Sequence, residues 1–234
     1  MKFIIDKQIL EKFPDLNIGV VVARDIDNTG EDEQIQKLLR EVETLVKETF
    51  VPEDVTGHPT ISSWRSAYSS FGAKPKKYHS SIEALTRRIL SGETLPKINK
   101  LVDLYNYISL KHTLPIGGDD IDKVTGNIHL TIAKGDELFK AIGSDETKNP
   151  KPDEVIYKDD NNDVLCRRWN WRECDKTKMT AETKNAVLMI EGIPPMTKEK
   201  IVEVANDFSE SIKTFLKGNT TTFILNKDNP EVEL

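Results

Sequence analysis

Apolar and polar positions alternate along the whole chain, and the period of the alternation changes from place to place. Residues 1–6 read as a short first strand, and 18–23 is a β-rich run suited to a buried strand. From Ile35 the period turns helical. Leu38, Leu39, Val42, Leu45 and Val46 share a face, and the helix must end before Pro52. A loop over 51–60 leads to a short helix at 62–68 that Gly72 closes. Ser80 and Glu83 have the spacing of a capping box, in which hydroxyl and carboxylate each satisfy a free backbone N–H. They open a helix with Ile82, Leu85 and Ile89 inward, ended by Gly92. Asn99 caps the next helix, 100–111, ahead of Pro115.

Beyond Gly117–Gly118 the pattern favours strands, at 127–133, 153–157, 164–168 and 186–190. The final helix is the clearest element: Ile201, Val204, Ala205, Phe208, Ile212, Phe215 and Leu216 trace one face, and Gly218 stops it. A β-branched strand, 220–225, follows. Helices and strands are unevenly mixed, which points to an α+β fold rather than a regular βαβ alternation. No repeat or long linker divides the chain, and 148–152 reads as a surface turn, so one compact domain over 1–234 is expected, a mixed sheet with helices packed on it.

Composition narrows the function classes. Apolar residues make up 37% of 234 and charged residues 31%, enough for a real core. No apolar run reaches membrane-spanning length, and Asp6 comes too early for a signal peptide. Cys166 and Cys174, with seven residues between them, fit neither a zinc site nor a CxxC pair, and read as reduced thiols of a cytoplasmic protein. His58, His79, His112 and His129 are scattered, so neither a metal nor another cofactor is expected. The net charge of −6 excludes general affinity for nucleic acid, so any RNA contact must use a local, salt-sensitive patch. GxSxG, Walker and GxGxxG motifs are absent.

One long segment carries more information. Ser81, then Leu85-Thr86-Arg87-Arg88-Ile89-Leu90, then 98–107 with Asn99, Asp103, Tyr105 and Asn106 stand in order. Pro115-Ile116-Gly117-Gly118-Asp119-Asp120-Ile121-Asp122-Lys123 follows, and then Thr180, Thr183-Lys184-Asn185 and Leu188-Met189-Ile190-Glu191. This succession resembles the B3/B4 domain of the phenylalanyl-tRNA synthetase β subunit, whose pattern has a serine, an RRL helix, N-x-V-V-D-x-T-N-Y, P-L-H-A-F-D-x-D-K and VTxxTKN…LLE. Residues 63–72 and 167–172 look like the freestanding version of that domain. The match spans roughly 80–192.

The resemblance implies an editing fold and a trans-acting deacylase. Such a protein hydrolyses the ester of a mischarged tRNA, with an arginine analogue such as canavanine among the candidate loads. The alternative is a non-catalytic module that binds tRNA or an amino acid. Its partner would be the acceptor end of an aminoacylated tRNA, with neither DNA nor a membrane involved. By this resemblance Glu191 holds the substrate ammonium or a water, and Asn106 reaches the terminal ribose. Tyr105 and Gly117 stand where the pattern has threonine and histidine, so tyrosine editing is not carried over. Asp119 and Asp120 place carboxylates two and three residues further on, suited to a cationic side chain. Arg167, Arg168 and Arg172, interleaved with Trp169 and Trp171, suit unpaired bases, and Lys74, Lys76 and Lys77 suit phosphates.

Overall fold

The computed structural model describes residues 1–234. Its elements, in order, are β1 (Lys2–Ile5), α1 (Lys7–Lys12), β2 (Asn17–Arg24), α2 (Glu33–Thr49), α3 (Pro59–Ser70), α4 (Ser81–Leu90), α5 (Lys100–His112), β3 (Ile116–Asp120), β4 (Ile128–Ile132), β5 (Val155–Asp159), β6 (Val164–Arg167), β7 (Arg172–Glu173), β8 (Ala186–Gly192), α6 (Lys198–Leu216), β9 (Asn219–Leu225) and β10 (Glu231–Glu233). Helix starts follow local chemistry: Asp32, Ser80, Asn99 and Thr197 each accept a bond from a first-turn N–H. Only half of the expected capping box forms at α4. The Ser80 hydroxyl accepts from Glu83 N at 3.4 Å, but the Glu83 carboxylate pairs with Arg65 and Arg87.

The strands form two sheets, where the sequence suggested one. The first has the order β10-β1-β4-β5-β6-β7 and is mixed, with β1 and β4 parallel; the second is β3-β8-β2-β9 and antiparallel. Its central strands β2 and β8 are buried on both faces. Val20, Val22, Val187 and Met189 meet the first sheet, while Val21, Ala23, Leu188 and Ile190 meet α5 and α6. This is why β2 and β8 read as continuous apolar runs rather than alternating ones. α2 and α4 pack outside α5 around Leu39, Val46, Ile82 and Ile89, whereas Leu45 is exposed despite its helical spacing. α3 closes the side of the inter-sheet core with Trp64, Tyr68 and Phe71.

Four elements are absent from the sequence reading: α1, β3 and the short strands β7 and β10. α1 is only six residues long, too short to show a period. β3 contains Gly117, Gly118, Asp119 and Asp120, a composition that disfavours strands. Gly118 is required there, because a Cβ would lie 2.4 Å from the carbonyl oxygen of Val187 on β8. β3 is an edge of the second sheet and β7 an edge of the first. These two edges come together at the site.

Candidate functional site

Alternation along β8 turns Val187, Met189 and Glu191 towards the first sheet. Glu191 is 2% exposed. Its Oε1 accepts a bond from the Tyr157 hydroxyl of β5, and its Oε2 accepts from the Asn170 amide, each at 2.5 Å. Asn170 is itself held by the Tyr68 hydroxyl at 2.8 Å. Burial raises the Glu191 carboxyl to about 7, against the opposing effect of these donors. Asn170 reaches Glu191 because Arg168 and Trp169 both take left-handed backbone, φ 47° and 67°. Neither is glycine, and such backbone costs about 1–3 kcal/mol per residue.

β3 supplies the second part. Gly117 and Asp119 pair with Met189 and Val187, and so face the inter-sheet space beside Glu191. Asp119 is 2% exposed; its Oδ1 accepts from the Thr177 hydroxyl at 2.5 Å, and its Oδ2 has no partner. Burial raises this carboxyl to about 7; the Thr177 bond opposes the shift, and the charges of Asp120 and Asp159 add to it. Across from it stands Glu173 of β7, a residue the sequence reading did not single out. Its Oε2 is enclosed without a partner, and its Oε1 lies 2.8 Å from where a Cβ on Gly117 would be. Burial first, then the charge of Asp119, pushes Glu173 well above the usual carboxylate range. Tyr105 of α5 is raised by burial and by the charges of Glu173, Cys166 and Asp119. Tyr105, Gly117 and Glu173 are half-buried, whereas Asp119 and Glu191 are deep, so the first three form the solvent side of the cluster.

Several expected assignments change. Asp120 cannot share the cavity with Asp119, because successive strand residues face opposite ways. It accepts from Thr183 at 2.7 Å, pairs with Lys123 at 3.1 Å and caps the turn after β3. Asn106 is buried on α5, and no hydrogen bond joins it to Glu191 or Asp119. Arg167 is internal, forked onto Glu154 at 2.9–3.0 Å. Trp169 is fully buried, edge-on to Trp64 and Phe13, and has no face to offer a base. Arg172 is exposed on β7.

Arg168 has a double role. It pairs with Glu154 at 2.9 Å and lies over the rings of Tyr78 (3.8 Å) and Trp171 (4.5 Å), yet its Nη1 is without a partner. It lines a cleft of about 530 Å³ with Lys12, Lys74, Lys77 and Lys151. Lys76 is exposed beside this cleft but does not line it. The cleft does not contain the carboxylates; the two are linked through the turn that carries both Arg168 and Asn170. No three His, Cys, Asp or Glu side chains converge closely enough to hold a metal ion, and no helix is long and apolar enough to cross a membrane.

No protein of curated function matches the sequence. An N-terminal fragment of the phenylalanyl-tRNA synthetase β subunit from Pyrococcus horikoshii is similar over 98% of this chain and 53% of the fragment, with 12% identity and a TM-score of 0.49. The chain therefore spans about half the length of that fragment. The B3/4 domain family matches residues 63–226, which include both carboxylate-bearing edges, β8 and the strained turn, and the chain belongs to that family.

Proposed function

We propose that the protein is a trans-acting aminoacyl-tRNA deacylase, with Glu191 as the residue that activates water. The supporting observation is the carboxyl of Glu191, buried, gripped by Tyr157 and Asn170, and raised to about 7. A general base works best when its pKa lies near the working pH. In the reaction, water attacks the ester carbonyl carbon while Glu191 takes a proton from it. The bond from that carbon to the ribose oxygen then breaks, and the proton passes to the ribose oxygen. Free amino acid and uncharged tRNA result. An aminoacyl ester is already activated, so a positioned water suffices without a covalent nucleophile. Membership of the B3/4 family supports a tRNA-linked role. The lysine-lined cleft beside Tyr78 and Trp171 supplies positive charge for the acceptor-end phosphates.

The test is release of labelled amino acid from a panel of charged tRNAs at substoichiometric protein. Wild type should turn over repeatedly, and its rate should rise with pH, half-maximal near 7, and level off above that. Glu191→Gln should lose about 10²–10⁴-fold. Full activity in this variant would remove Glu191 from the mechanism. Protection of the ester at stoichiometric protein, without release, would mark the protein as a binding module.

A further inference from the structure

We propose that the turn 168–170 is a relay, in which a phosphate group seated on Arg168 fixes Asn170 against Glu191. Glu191 is then held for reaction only while a phosphate-bearing ligand fills the lysine-lined cleft. The inference rests on the deacylase reading for its biological setting and deepens it as the regulation of Glu191. The cleft carries unmatched positive charge. Lys12, Lys74, Lys77, Lys151 and Arg168 line it against two acids, Asp153 and Glu154. Glu154 already serves two guanidinium groups, Arg167 at 2.9–3.0 Å and Arg168 at 2.9 Å. All three of these side chains are buried, so one cation in the group is without a counter-ion. Arg168 also keeps its Nη1 enclosed without a hydrogen-bond partner. A buried charge without a partner is costly. A phosphate supplies both missing items, a negative charge and acceptor oxygens that match the guanidinium fork. The rings of Tyr78 and Trp171 cover the guanidinium at 3.8 and 4.5 Å. Tyr78, half-buried on the cleft wall, is the cover that a ligand meets first.

The path from cleft to carboxyl is one turn long. Arg168 and Trp169 hold left-handed backbone, φ 47° and 67°, which residues other than glycine keep only where their surroundings hold them. Trp169 is the fixed middle: its N–H donates to the Val155 carbonyl at 2.6 Å, and its ring is packed edge-on to Trp64 and Phe13. Before it, Arg168 reaches the cleft. After it, Asn170 donates to Glu191 Oε2 at 2.5 Å and accepts from the Tyr68 hydroxyl at 2.8 Å. The backbone N–H of Asn170 also donates to the Arg168 carbonyl at 2.9 Å, which ties the two residues together. An anion that binds Arg168 better in this geometry shifts the turn towards it by that difference in affinity. Tyr157, the other donor to Glu191, stands on β5 rather than on the turn. Asn170 is therefore the contact that the cleft controls, and Arg168 and Asn170 are positioning residues.

The probes are cytidylyl-adenosine, which carries one phosphodiester, adenosine, which carries none, and inorganic phosphate. In calorimetry, wild type should bind the dinucleotide more tightly than adenosine by about tenfold or more, and Arg168→Gln should lose that difference. In NMR spectra, saturating dinucleotide should move the side-chain amide signal of Asn170 in wild type and leave it in place in Arg168→Gln. Arg168→Lys, which keeps the charge and loses the fork, takes its place if that variant does not fold, with the same loss expected. Replacing the exposed Lys74 and Lys77 by alanine should weaken binding but keep the Asn170 response at saturation. Turnover gives a further readout: kcat for an aminoacyl ester of the dinucleotide should exceed that for the same ester of adenosine by about tenfold or more. Arg168→Gln should lower only the first. Equal affinity for dinucleotide and adenosine, an Asn170 signal that does not respond, or an equal loss of kcat on both esters would overturn the relay. A response to the dinucleotide alone assigns the site to an RNA end, and an equal response to inorganic phosphate assigns it to the free anion; each keeps the relay. If Asn170 responds as stated but no ester is hydrolysed, the relay stands and the deacylase reading fails.

Discussion

Asp119, Glu173 and Glu191 reverse the usual dependence of stability on pH. Their carboxyls are raised in the folded protein, chiefly by burial, to about 7 for Asp119 and for Glu191. In the unfolded chain they ionise near the ordinary value of about 4. Between these values the folded state binds more protons than the unfolded one. Their stabilising contribution is therefore complete below about pH 4 and is lost as pH rises through about 7. Asp119 feels the charges of Glu173, Asp120 and Asp159 and accepts a bond from Thr177, and Glu191 is bonded by Tyr157, Asn170 and Trp169, with no cation among them to offset the effect. Three lowered histidines, His58, His79 and His112, act in the opposite sense near pH 6.5, so the difference between variants is the readout. The melting temperature of Asp119→Asn should rise relative to wild type as pH is raised from about 4.5 to 8. A difference that does not change with pH would contradict the assigned protonation. Position 191 was legible in the sequence as the end of a strand in a family pattern. Glu173 was not, because its importance comes from the strand edge facing it rather than from its neighbours in sequence.

At the scale of elements, the segment 167–172 shows how one stretch of sequence can serve two sides of a fold. Arginines interleaved with tryptophans suggested a surface that meets unpaired bases. The hairpin turn between β6 and β7 instead sends Trp169 into a cluster with Trp64, Phe13 and Phe71, ties Arg167 to Glu154 and leaves Arg172 outside. Trp169→Ala should destabilise the protein by about 3–5 kcal/mol in urea unfolding, as expected for a fully buried aromatic. Arg172→Ala should stay within about 0.5 kcal/mol of wild type. Equal effects would mean that the turn does not divide the segment in this way. Polarity alone could not make this distinction, because tryptophan is apolar in a core and equally usable on a binding surface. The helices were more legible. α5 begins at its Asn99 cap and α6 follows its apolar stripe, since capping and period are local properties.

For the whole molecule, net charge and local charge point in different directions. The chain carries −6, yet Lys12, Lys74, Lys77, Lys151 and Arg168 converge on one cleft from α1, the segment after α3, the segment before β5 and the β6–β7 turn. Binding of tRNA should weaken steeply with salt. Replacing Lys74 and Lys77 by alanine should lower affinity for different tRNAs alike and reduce the slope of log K against log salt by about 1–2. Affinity that does not change between low and moderate salt would rule out the cleft as the RNA site. The sequence reading included Lys74, Lys77 and Arg168 in this patch, but Lys12 and Lys151 lie too far from them along the chain to be associated without the fold.

The sequence by itself determined the features that depend on neighbouring residues: the five longer helices, most strands, the α+β class, the family resemblance and the position of Glu191. These follow from period, capping and motif order, all of which act over a few residues along the chain. Tertiary structure decided the arrangement of two sheets, the strand at 116–120 and the separation of Asp119 from Asp120. It also brought the Glu173 carboxylate over Gly117. The physical reason is that a strand edge and a buried charge are defined by what packs against them. Residues 117 and 173 are brought together only when the β3 edge of one sheet closes on the β7 edge of the other.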